Sequence, residues 1–64
     1  MSFGENFKTA RMRAGLTQQQ VADAIGLDRT AIAHYENNDS MPKPRNLNRL
    51  CELFDISLSD LLKQ

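Results

Sequence analysis

Apolar residues in this chain recur three or four positions apart, and nowhere alternate with polar ones long enough to suggest a strand. Val21, Ala22 and Ile25 form a stripe at i, i+1 and i+4; Gly26-Leu27-Asp28 interrupts it, and Ile32 and Tyr35 resume it at i and i+3. That pattern predicts two short helices joined by a three-residue turn. Upstream, Phe3, Phe7 and Ala10 share one face of a helix expected from about Phe3 to Ala14, which Gly15 ends. Downstream, Leu47, Leu50, Cys51 and Phe54 stand at i, i+3, i+4 and i+7 of a fourth helix. Pro44 sits in its first turn, where a missing N–H is harmless. A short fifth helix carries Leu58, Leu61 and Leu62. The connection from Asn38 to Lys43 is rich in turn-forming residues. The expected fold is all-α, with five helices and no repeat or low-complexity run.

The helix starts repeat two devices. Thr17 with Gln20, Ser57 with Asp60, and Ser2 with Glu5 all fit a capping box, in which the hydroxyl accepts an orphan backbone N–H and the third helical residue reaches back. Asp28 is a good N-cap by itself. Leu16 with Val21, Leu27 with Ile32, and Ile56 with Leu61 are spaced as hydrophobic staples, which fix the angle at which the chain enters each helix.

A length of 64 residues leaves room for one small core, so a single domain over residues 1–64 is expected, with its function on its surface. One cysteine, Cys51, makes no internal disulfide, and there is neither a signal-like nor a membrane-length apolar segment. The chain therefore reads as a cytoplasmic protein with no membrane partner. Eight basic and eight acidic side chains cancel, which argues against gripping nucleic acid by bulk charge. The layout is uneven, however. Arg11, Arg13, Arg29, Lys43, Arg45 and Arg49 lie mostly before or just after the central helix pair, while Glu52, Asp55 and Asp60 gather near the carboxyl end.

On the second helix of that pair, Arg29, Thr30, Ala33, His34 and Asn37 occupy the face that no apolar residue claims. An α-helix fits the major groove of B-DNA, where each base pair shows a distinct set of donors, acceptors and methyl groups. Arg29, in the first turn, offers two parallel N–H donors to a guanine edge. Thr30 and His34 share a ridge suited to a base or phosphate, Ala33 leaves room for close approach, and Asn37 follows one turn along. Gln18 brings a side-chain amide to the exposed N–H groups of the preceding helix, a place suited to phosphate. Lys43 and Arg45 are candidates to hold the DNA strand from the other side. The predicted partner is double-stranded DNA.

At these residues the chain resembles the Cro and phage-repressor family of helix-turn-helix proteins. The resemblance rests on Arg11, on GLTQQQVADAIGL from Gly15 to Leu27, on Ile32 and Glu36, on Pro44, and on FDISLSDLL from Phe54 to Leu62. It implies a five-helix lambda-repressor-like DNA-binding domain, with a recognition helix from about Arg29 to Asn37. It also implies a transcriptional repressor that binds an inverted-repeat operator as a homodimer, with half-site centres about 34 Å apart. By the same resemblance Gln18 is a phosphate contact, Arg29, Thr30 and His34 are base readers, and Asn37 with Arg45 contact the backbone. Arg11 and Glu36 match a pair that forms an internal salt bridge in the family. Two departures stand out: Asn37-Asn38 replaces the glycine that usually follows the recognition helix, and Asp39 to Lys43 carries an acid and a methionine where the family has mostly basic residues.

Other chemistries find less support. His34 has no second ligand at metal spacing on its face. Cys51 lies on an apolar stripe, where burial raises a thiol pKa, so it reads as a small core side chain. A lone histidine and a lone cysteine on opposite faces of the expected bundle make no nucleophile and base pair, and no phosphate loop is present, so no enzyme, cofactor or small-molecule ligand is predicted. Two alternatives stay open: an antitoxin or controller protein of the same fold, and a helical module that binds only protein, which the neutral charge and the acids Asp28 and Asp39 favour.

Overall fold

The computed structural model describes residues 2–64. Its helices are α1 (Phe3–Arg13), α2 (Gln18–Ile25), α3 (Arg29–Glu36), α4 (Pro44–Phe54) and α5 (Leu58–Leu61), and the described residues include no strand. None of these helices is long and apolar enough to cross a membrane.

Phe7 is the hub of the core. Fully buried on α1, its ring lies 5.9 Å from that of Phe3, 6.0 Å from that of Tyr35 on α3, and 5.2 Å edge-on from that of Phe54 on α4. Such tilted and edge-to-face pairs are favoured by the ring quadrupole. Around it close Val21, Ala22 and Ile25 from α2, Ile32 from α3, Leu50 from α4 and Leu61 from α5, all buried. The inward stripes therefore belong to one cluster, with Leu16, Leu27 and Ile56 packed on it from the positions that precede each cap.

Local chemistry starts and stops these helices. Ser2 with Glu5 and Thr17 with Gln20 form complete capping boxes. Ser57 accepts the Asp60 N–H at 3.1 Å, but the Asp60 carboxylate does not reach back; instead the Ser57 hydroxyl contacts that of Ser59 at 3.2 Å. Asp28 has the extended backbone of an N-cap without a side-chain bond to the helix. Position is thus set there by the staple and by the turn before it. α1 ends in a Schellman turn, with Gly15 at φ +73 and the Leu16 N–H reaching the Arg11 carbonyl at 3.2 Å. Gly26, at φ +74, ends α2.

Two apolar expectations are corrected. Leu47 and Cys51 are half-buried beside the fully buried Leu50. In α5 only Leu61 enters the core, whereas Leu58 and Leu62 are 40% and 41% exposed. The i, i+3, i+4 spacing does put the three leucines on one side, but a four-residue turn offers too short a face to bury them all: Leu58 opens the turn and Leu62 is its C-cap. A polar contact adds to the hold of buried Leu61 on α5: buried Asn6 of α1 donates through Nδ2 to the carbonyls of Leu61 at 3.1 Å and Lys63 at 2.5 Å. These carbonyls close a helix end and would otherwise lack donors.

Candidate nucleic-acid interface

The turn Gly26-Leu27-Asp28 sets α3 across α2, and burial of Ile32 and Tyr35 decides which way α3 faces. Arg29, Thr30, His34 and Asn37 are exposed and Ala33 is half-buried. The helix ends at Glu36, with Asn37 at the C-cap position. Among the described residues, Arg29 and Thr30 have no side-chain hydrogen bond, and Arg29 has no ion pair. Both are free to meet a ligand. His34 is engaged: its Nδ1 lies 3.3 Å from Oδ2 of Asp39.

Beneath this face lies a charged network. The side chains of Arg11 and Glu36 are 13% and 5% exposed. Arg11 Nε donates to Glu36 Oε2 at 2.5 Å, its Nη2 to Oε1 at 3.3 Å, and its Nη1 to the Leu16 carbonyl at 2.8 Å. One guanidinium thereby ties the end of α1, the loop into α2 and the end of α3 together. Bidentate, charge-assisted bonds of this kind are strong and directional. Gln18 joins the same network, donating from Nε2 to Glu36 Oε1 at 3.1 Å. Its amide is therefore held over the end of α3 instead of projecting freely from the start of α2.

The turn after α3 keeps its left-handed residue despite lacking glycine. Asn38 has φ +63, and the Asn38 and Asp39 N–H groups donate to the Tyr35 and His34 carbonyls at 3.2 and 2.9 Å, a Schellman turn. Asparagine adds what glycine cannot. Asn38 Oδ1 accepts the Gly4 N–H at 2.9 Å, and Nδ2 donates to the Ser2 hydroxyl at 3.1 Å. Those bonds satisfy the first turn of α1 from the far end of α3.

Lys43 and Arg45 are exposed at the start of α4, and no hydrogen bond or ion pair joins either to the α3 face. Lys43 occupies the N-cap position without a side-chain cap, and Pro44 follows in the first turn. Arg49 points elsewhere: its guanidinium donates to the Ala24 and Ile25 carbonyls at 3.2 and 3.4 Å, closing the end of α2. Cys51 is a free thiol, and desolvation by burial raises its pKa. Among the described residues no cluster of histidine, cysteine and carboxylate has the composition to hold a metal ion.

Sequence reasoning identified the α3 face but missed four polar partnerships: Gln18 with Glu36, Asn38 with Gly4, His34 with Asp39, and Asn6 with the end of α5. A signal existed for the third, because a Schellman turn brings the residue three before the cap beside the one two after it.

Residues 4–64 match the family of helix-turn-helix domains. An uncharacterised HTH-type transcriptional regulator of Bacillus subtilis, YqaE, is 39% identical over 61 residues, which cover 95% of this chain and 53% of that protein. The chain spans about half the length of the first curated relatives it matches. Among solved structures, the P22 c2 repressor in complex with a synthetic operator superposes with a TM-score of 0.91 at 25% identity, over 98% of this chain and 96% of that one. The restriction-modification controller protein C.AhdI of Aeromonas hydrophila gives 0.83 at 28% identity, over 94% and 91%. The five helices thus have the lambda-repressor-like arrangement expected from the sequence.

Proposed function

The chain belongs to the helix-turn-helix domain family, and from that premise we propose that it is a sequence-specific DNA-binding transcriptional regulator, a repressor that binds an inverted-repeat operator as a homodimer. The observation that carries this reading is the outward face of α3: Arg29 and Thr30 exposed and, among the described residues, without side-chain partners, on a helix held from behind by Ile32, Tyr35 and the Arg11–Glu36 pair. Laid in the major groove, that face presents Arg29 to a guanine edge, with Thr30 and His34 to neighbouring base pairs and Ala33 allowing close approach. Gln18 faces a phosphate with its amide orientation set by Glu36, while Asn37, Lys43 and Arg45 meet the backbone and carry no sequence information. Of the eight acidic side chains, Glu52, Asp55 and Asp60 lie on or beside α4 and α5 and Glu36 is paired with Arg11, which leaves Arg29, Lys43 and Arg45 as basic groups for DNA despite the neutral total. The relatives named as transcriptional regulators support this class of function.

Likeness to the controller protein C.AhdI supports a second reading within DNA binding, an antitoxin or controller protein of the same fold, which adds a protein partner to the operator. Selection of bound sequences from a random DNA pool tests both. The expected result is a pair of related, inverted half-sites with centres about one helical turn apart. Absence of binding to any fragment, even at low salt where phosphate attraction is strongest, would leave the protein-only module in its place.

A further inference from the structure

His34 and Asp39 are placed together by the backbone. The Asp39 N–H bonds the His34 carbonyl at 2.9 Å and the Asn38 N–H bonds that of Tyr35 at 3.2 Å, with Asn38 in the left-handed region at φ +63. In such a turn the residues at His34 and Asp39 lie side by side, and an apolar contact usually joins them. Here the pair is polar, with His34 Nδ1 3.3 Å from Asp39 Oδ2, both side chains being more than half exposed. The ring forms no other hydrogen bond among the described residues, and with the side chain half exposed on α3, Nε2 is left without a partner there.

We propose that Asp39 is a specificity-determining positioning residue, which fixes the tautomer of His34 and thereby the kind of base edge His34 reads. A carboxylate only accepts hydrogen bonds, so a neutral ring beside it carries its proton on Nδ1 and donates it to Asp39. Nε2 then presents a lone pair. In the major groove an acceptor matches the exocyclic amines, N6 of adenine or N4 of cytosine, and is unpaired against guanine O6, guanine N7 or thymine O4. His34 accordingly selects adenine or cytosine on the strand it faces. The acid in this connection, which opposes a phosphate grip, has this use in exchange. The inference rests on the reading of α3 as the base-contacting helix, while the tautomer itself belongs to the free protein.

Two measurements separate those levels. Long-range proton–nitrogen correlation spectra of the isotope-labelled free protein, in a buffer alkaline enough to leave the ring neutral, should show His34 protonated on Nδ1, and Asp39→Ala should move the proton population toward Nε2. In parallel, binding of fragments varied at a single position should favour adenine or cytosine by about tenfold in the native protein. Asp39→Ala should erase most of that ratio, whatever it does to affinity for all sequences together. In a His34→Ala background the same Asp39 change should leave the ratio unmoved. A native ring protonated on Nε2 overturns the proposal, as does a base preference that survives Asp39→Ala at full strength in a protein that binds DNA. Failure of the native protein to bind any DNA removes the functional premise, and the base-reading role falls with it.

Discussion

Gly4 of α1 rests directly on the backbone of Glu36, the last residue of α3, and a Cβ at Gly4 would meet the Glu36 carbonyl group and lie 3.0 Å from Nδ2 of Asn38. The close approach allows the Gly4 N–H to bond Asn38 Oδ1 and lets Arg11 reach Glu36 farther along the same helix pair. Gly4→Ala forces the helices apart at a backbone contact that has no side chain to yield. Its expected cost is about 2 kcal/mol, read by urea denaturation with an unchanged m-value. Gly26→Ala is the control: its Cβ enters open space and only the positive φ is strained, at about 1 kcal/mol.

The Arg11–Glu36 pair is nearly buried, so removing one partner leaves the other charge without compensation. Glu36→Ala should destabilise the domain by about 3 kcal/mol, more than Gln18→Ala, which removes one neutral donor worth about 1 kcal/mol. If both substitutions cost the same in chemical denaturation, solvent rather than Glu36 balances the Arg11 charge.

Base reading and backbone grip are separable by their salt and sequence dependence. Arg29→Ala should relax discrimination at one base pair by about 1–3 kcal/mol. Arg45→Ala should weaken all sequences alike and lower the slope of log affinity against log salt by about 1. Competition binding at several salt concentrations distinguishes the two; an unchanged specificity ratio for Arg29→Ala would remove that residue from the readers.

Burial raises the Cys51 thiol above its ordinary pKa, because the thiolate is the form that loses hydration. The folded state therefore favours the neutral thiol relative to the unfolded chain. That contribution is complete below the ordinary thiol pKa, about 8.5, and is lost as the pH rises through the folded value. Alkylation should be slower in the native protein than in urea at neutral pH, and the denaturation midpoint should fall on moving to alkaline buffer. Cys51→Ala should flatten the alkaline part of that fall.

The central helix pair was legible because its signals are short-range. Thr17 with Gln20 spans three positions and the staples span five, so neighbours along the chain suffice to mark where α2 and α3 begin. The same rules overreached at α5, where Ser57 and three leucines read as a full box and a full apolar face. One residue of four finds the core, and the others are left outside. The α3 face was legible by elimination, since no apolar stripe uses it, but the state of each side chain on it was not.

Local periodicity and capping, which act over at most one or two turns, determined from the sequence alone where five helices start and which side of the first four turns inward. Tertiary structure decided which polar groups remain available: Arg11 finds Glu36 25 residues away, Asn6 finds the Leu61 carbonyl 55 residues away, and Gln18 is held by Glu36. A hydrogen bond depends on ångström distances and on which atom points where, and neither is fixed until the helices have packed.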